Sequence, residues 1–137
     1  MIVVDTNIVA YFVFPSAQTP DVEAARAKDH EWLAPALLRY ELLNIAAQYV
    51  RRGLLDRDRS ERAFRRGLSL VRILPEYADS VEVLNLSQRT GCSPYDIEFV
   101  CLAERLAAPL VTCDQQLLTA FPGLAVSPAD FAQRHKQ

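Results

Sequence analysis

Four acidic residues, Asp5, Glu41, Asp96 and Asp114, stand where a carboxylate could do chemistry. Asp5 closes the apolar run "MIVVD", and Glu41 lies within "LLRYELLN". Asp96 opens an apolar stretch in "SPYDIEFV", and Asp114 closes "PLVTCD". Carboxylates gathered at one place raise each other's pKa, because like charges oppose ionisation. A divalent cation removes that opposition. Mg2+ and Mn2+ favour oxygen ligands and keep several waters, which leaves room for a substrate phosphate. One such ion lowers the pKa of a bound water, and a second, about 4 Å away, stabilises the leaving oxygen of an in-line displacement. That chemistry needs no histidine. The two histidines, His30 and His135, fall away from all four acids in the inferred order of elements.

Secondary structure has to bring the acids together. "MIVVD" reads as a short, fully buried strand, an apolar run ended by an acid. "TNIVAYFVF" turns helical and stops at Pro15, and "DVEAARAKD" is a short amphipathic helix. "EWLAP" is a second strand, and Pro35 begins a long helix that ends near Gly53. A further helix starts near Asp58 and runs through Val71, and "RILP" is a third strand. "ADSVEVLNLSQRTG" is helical to Gly91, and Ser93 caps a helix reaching about Ala107. "PLVTCD" and "LAVS" are the fourth and fifth strands with a short helix between them, and Asp130 lies in a last short helix. Short, apolar, unalternating strands between helices argue for a parallel sheet covered on both faces.

In such a sheet, ligands bind beyond the carboxyl ends of the strands. Asp5 ends the first strand and Asp114 the fourth, so both belong to that edge. Glu41 lies in the second turn of the helix after the second strand, at the margin of a stripe of Leu38, Leu42, Ile45 and Tyr49. Asp96 opens a helix that runs back antiparallel to the fourth strand, so its start falls at the same edge. Each acid also has a plainer reading. Asp5 could cap the helix at Thr6, Asp114 the helix at Gln115, and Asp96 could complete a capping box with Ser93. Glu41 could be a solvated residue at a helix rim. Four acids with independent local roles, however, need not share one sheet edge.

The 137 residues suit one domain, 1–137, and a 50% hydrophobic composition supports a real core. A formal net charge of −2 gives no molecule-wide field for nucleic acid. Cys92, Cys101 and Cys113 are odd in number and lack metal-type spacing, so they read as reduced thiols of a cytoplasmic protein. No signal peptide and no apolar span long enough for a bilayer is visible. Eight of the fifteen Lys/Arg residues are arginines between 51 and 72, offset by Asp56, Asp58 and Glu61. Arg51, Arg52, Arg59, Arg62, Arg65 and Arg66 are candidate RNA contacts, since the guanidinium fork pairs with phosphate. They equally suit a solvated helix face laced with i,i+4 pairs, or an acidic partner segment. Val9, Tyr11, Phe12, Phe14, Leu42, Ile45 and Tyr49 exceed what one small core obviously needs, and core packing is the plain alternative.

The stretches "VVDTNIVAYF", "LLRYELLN" and "SPYDIEFVCLAERLAAPLVTCDQQL" together resemble the PIN domain, and specifically the VapC-type toxin ribonucleases. The resemblance spans nearly the whole chain. It implies an α/β/α sandwich around a five-stranded parallel sheet. It implies an endoribonuclease that binds Mg2+ or Mn2+ through Asp5, Glu41, Asp96 and Asp114. Thr6, Asn7, Asn44 and Thr112 match polar positions beside those acids, where they would steady the ligands or touch substrate. The family also implies RNA as substrate, a homodimer and a cognate antitoxin whose segment docks in an apolar groove. Glu98 departs from the pattern, and because it lies about 200° round the helix from Asp96 it is expected to face away from the metal. A catalytically silent PIN-like module binding RNA or protein is the alternative, and the presence of all four acids weighs against it. A response-regulator receiver would need an acidic pair after the first strand, and a haloacid-dehalogenase-like phosphatase a second acid in "DTNI"; neither is present.

Overall fold

Strands with no polar face must be covered on both sides, and the computed structural model, which describes residues 1–135, shows how. The chain runs β1 (Ile2–Val4), α1 (Thr6–Val13), α2 (Thr19–Lys28), β2 (Trp32–Pro35), α3 (Leu37–Arg51), α4 (Arg57–Ser69) and β3 (Val71–Leu74). It continues through α5 (Ser80–Thr90), α6 (Pro94–Leu106), β4 (Leu110–Val111), α7 (Gln115–Ala120), β5 (Ala125–Val126) and α8 (Pro128–Gln133). The five strands lie in the order β3-β2-β1-β4-β5, and every pair is parallel. The fold is α/β, with this sheet as the middle layer of an α/β/α sandwich. Val3, Val4, Ala34, Leu110 and Val111 are wholly buried within it. From β1 the chain order runs one way through β2 and β3 and the other way to β4. The carboxyl ends of β1 and β4 therefore flank a topological switch point, where α/β sheets open a crevice.

Several boundaries differ from those read in the sequence. Pro35 belongs to β2, opposite Leu74, and α3 begins two residues later without a side-chain cap. Asp56, not Asp58, caps α4, its carboxylate accepting from the Arg59 N–H at 2.8 Å. Val71 leaves the helix for β3, because pairing with Trp32 satisfies its backbone. The buried stripe of α3 is Leu38, Leu42 and Ala46; Ile45 and Tyr49 are only half-buried. Gly91 ends α5 and Gly53 follows α3, both at positive φ, as the stop signals predict. The three cysteines are free, Cys92 and Cys101 buried and Cys113 partly so. No helix among the described residues is long and apolar enough to cross a membrane.

The apolar surplus of the early helices goes mainly into the core. Val9, Phe14 and Leu42 are fully buried, and Phe14 stacks on Tyr49 with ring centroids 4.4 Å apart. Tyr11, Phe12 and Ile45 pack against that core from its edge. Val9, Phe14 and Leu42 are thus not available to an open groove.

Helix α4 sits tightly on α1 and α3. Ser60 is buried and donates to the Ala46 carbonyl at 2.7 Å, and a Cβ on Gly67 would stand 2.8 Å from Leu42 Cδ2 and 3.0 Å from Val9 Cγ1. Gly67→Val should therefore lower stability by about 2 kcal/mol through overpacking, read as a reduced midpoint in urea with an unchanged slope. An unchanged midpoint would mean that α4 can slide outward without cost.

Candidate active site

The first turn of α1, the second turn of α3, the first turn of α6 and the loop after β4 all open onto one cleft of about 190 Å³. Asp5, Thr6, Asn7, Glu41, Asn44, Ile45, Asp96, Phe99 and Asp114 line it. All four acids singled out in the sequence are there. So are Thr6, Asn7 and Asn44, whereas Thr112 is wholly buried beneath.

The capping roles and the gathering of acids turn out to be compatible. Asp5 accepts from the Ile8 N–H at 3.2 Å as the N-cap of α1. Asp114 accepts from the N–H groups of Gln116 and Leu117 as the N-cap of α7. Asp96 donates its backbone N–H to the Ser93 hydroxyl at 3.2 Å, in the first turn of α6. The carboxylates of Asp5 and Asp114 thus each cap a helix and still line the shared cleft. Helix N-termini at the sheet edge also bring partial positive charge to it.

Two threonines hold two of the carboxylates in place. Thr112 donates its hydroxyl to Asp5 Oδ2, and the Thr112 Oγ1 in turn accepts the Asp114 N–H at 3.0 Å. A single side chain thereby ties the carboxyl end of β1 to that of β4. Thr6 donates to Glu41 Oε1 at 2.6 Å, tying α1 to α3.

The electrostatics follow from burial and like charge. Burial pushes Asp5 up to about 7, and Asp96 and Asp114 add to the rise, against the hydrogen bonds from Thr112 and Ile8. Burial likewise raises Glu41, with Asp96 contributing, and raises Asp96, with Asp114 contributing. Nothing in the lining is cationic.

A family model of the PIN domain matches residues 2–121. The chain belongs to the PIN domain family. It is 29% identical over 126 residues to Ribonuclease VapC3 of Pyrobaculum aerophilum, covering 90% of this chain and 96% of that protein. Its fold matches the crystal structure of PAE2754 from the same organism with a TM-score of 0.78 at 21% identity, over 96% of this chain and 91% of that one. It also matches a toxin–antitoxin complex from Klebsiella pneumoniae with a TM-score of 0.68 at 20% identity, over 93% and 98% of the two chains. At these identities the two structures speak for the fold.

The donor set of this PIN domain suits a hard cation. The candidate ligands are all oxygens, burial raises Asp5, Glu41 and Asp96 in the direction that positive charge would reverse, and no lysine or arginine lines the cleft beside them. Among the described residues, no three His, Cys, Asp or Glu side chains are already arranged to hold an ion.

Glu98 stands elsewhere, as helical geometry requires. It accepts the Ala78 N–H at 3.3 Å and lines a separate pocket with Glu76, Asp79 and Glu82. None of the arginines between 51 and 72 lines the acidic cleft. Arg59 pairs with Asp56 and Arg65 with Glu61 on the exposed surface, and Arg66 lies over the Phe12 ring. Sequence reasoning missed Phe99 as an apolar wall of the cleft and took Ile45 as buried core. Phe99 was findable, because it lies three residues after Asp96 and so shares its helix face.

Proposed function

We propose that this PIN domain is a divalent-metal-dependent endoribonuclease, the toxin of a toxin–antitoxin pair. The observation that carries this reading is the opening of four carboxylates, from four separate elements, onto one cleft at the sheet's switch point. The likeness to a protein named Ribonuclease VapC3 supports it.

In this reading Asp5, Glu41, Asp96 and Asp114 hold Mg2+ or Mn2+ and make up the catalytic quartet. When bound there, such an ion would lower the pKa of a water and offset negative charge on the phosphate. Thr6 keeps Glu41 in one rotamer, so the carboxylate does not have to be ordered at each turnover. Thr112 does the same for Asp5, and through the Asp114 N–H it holds both strand ends in register. Asn7 and Asn44 offer amide groups to the substrate from the cleft wall. Phe99 and Ile45 limit the entry of bulk water from one side.

Partners belong to the same reading: a second copy of the chain and an antitoxin. The Klebsiella neighbour was solved as a toxin–antitoxin complex. Here an apolar groove between α3 and α4, lined by Leu43, Ala46, Ala47 and Val50 and rimmed by Arg51, Arg57 and Glu61, suits an amphipathic segment of the antitoxin. The setting is the cytoplasm, where free thiols stay reduced.

The deciding experiment incubates purified protein with total RNA in Mg2+, Mn2+ or excess chelator. Discrete fragments with either metal and none with chelator are expected. RNA that stays intact in both metals while still binding the protein would favour the silent binding module.

A further inference from the structure

Two exposed tyrosines stand at matching places on the two helices that carry Glu41 and Asp96. Tyr40 is 66% exposed and Tyr95 is 63% exposed. Tyr40 precedes Asn44 by four residues on α3, and Tyr95 precedes Phe99 by four residues on α6. Asn44 and Phe99 both line the acidic cleft. Four residues advance a helix by about 6 Å and turn it by only about 40°. Each tyrosine therefore lies one turn outside a cleft-lining residue, on nearly the same face. Side chains on a helix lean toward its N-terminus, which carries both rings outward, away from the cleft-lining turn.

A single exposed tyrosine is ordinary. A pair so placed meets a specific need of this cleft. Its lining is acidic and contains no lysine or arginine, so it repels a polyanionic backbone everywhere except at a bound cation. A strand threading it needs a hold that does not depend on charge. Stacking of bases on aromatic rings provides that hold, and every base has a face to offer. In a duplex those faces are already stacked and turned inward, so only unpaired nucleotides can use the rings.

We propose that Tyr40 and Tyr95, each one helical turn outside the cleft, are stacking platforms that grip unpaired bases flanking the scissile phosphate. The inference rests on the ribonuclease reading above. The rings position substrate and take no part in proton transfer, so their loss should act on KM.

The test uses the full chain, an unstructured RNA oligonucleotide and the same sequence annealed to its complement. Cleavage in Mg2+ is followed for wild type, Tyr40→Ala, Tyr95→Ala and their Phe counterparts, and binding of the labelled oligonucleotide is followed by anisotropy in chelator. Tyr77→Ala is the control, since Tyr77 is 86% exposed but lines the separate pocket with Glu98. Each Ala variant should raise KM and the chelator Kd about 10-fold, with kcat changed less than about twofold. The Phe variants should recover most of that loss, and the duplex should resist cleavage. KM and Kd unmoved by both Ala variants, Phe variants as weak as Ala, or equal cleavage of the duplex would each overturn the proposal. A wild type that neither cleaves nor binds any RNA overturns the ribonuclease reading as well, whereas cleavage by wild type with unaffected Ala variants overturns only the tyrosine assignment.

Discussion

Asp96→Asn should reduce RNA cleavage by at least about 1,000-fold, equivalent to roughly 4 kcal/mol of transition-state stabilisation. The substitution keeps the shape of the side chain and its place in the first turn of α6. The Ser93 cap, which accepts the backbone N–H of residue 96, is untouched. Loss of the negative charge forgoes about 0.3–1 kcal/mol with the helix dipole. It also relieves a half-buried carboxylate whose pKa is raised by burial and by Asp114. These two effects oppose each other, so the melting temperature should move by only a few degrees. A neutral amide is a far poorer ligand for Mg2+ or Mn2+ than a carboxylate, so metal affinity and turnover should fall together. The measurement pairs cleavage rates with thermal unfolding and metal titration. Equal cleavage by wild type and variant preparations would sink the metal-ligand role of Asp96 and point to a contaminating nuclease.

Without a divalent cation, stability should fall as pH rises from about 4 to about 7, and Mg2+ or Mn2+ should reverse the trend. In the folded chain burial holds Asp5 near 7, against an ordinary value of 3.8. Between those values the folded state retains a proton that the unfolded state has lost. Fewer protons on the unfolded chain make the slope of unfolding free energy against pH negative. Below about 4 both states are protonated and the penalty is absent; above about 7 it is complete, on the order of a few kcal/mol. Glu41 and Asp96 are shifted the same way and add to the slope. A cation binds the ionised carboxylates of the folded chain and stabilises it by mass action, most strongly where the protons have left. Urea midpoints across pH 4–8, with chelator and with metal, test both halves. Asp5→Asn should flatten the chelator curve and abolish most of the metal effect. A curve for wild type that rises with pH in chelator would mean that Asp5 is ionised and compensated within the protein itself.

Much of this molecule can be read from local pattern. The strands β1 and β2 are legible because runs such as Ile2–Val4 have no polar side, which only two-sided burial tolerates. The end of α5 is legible because Gly91 takes a left-handed φ that other residues resist. The cap residues Asp5, Ser93 and Asp114 announce their helices through chemistry confined to three or four residues. Order along the chain then suffices to assign the four acids to one sheet edge, since parallel strands share a direction.

Other features depended on packing. The sequence does not say that Ala46, not Ile45, faces the core of α3, because the stripe's exact angle is set by how α4 and Gly67 press against Leu42. Nor does it say that Val9 and Phe14 are consumed by the core, or that Arg59 and Arg65 pair with acids beside them. The reach of Thr112 across to Asp5, 107 residues away, belongs to the same class. The sequence by itself determined which elements form and which carboxylates end them, because those choices rest on interactions within a few residues. Only the tertiary structure decided which hydroxyls hold those carboxylates and how far each is removed from water, because these depend on contacts between elements remote along the chain.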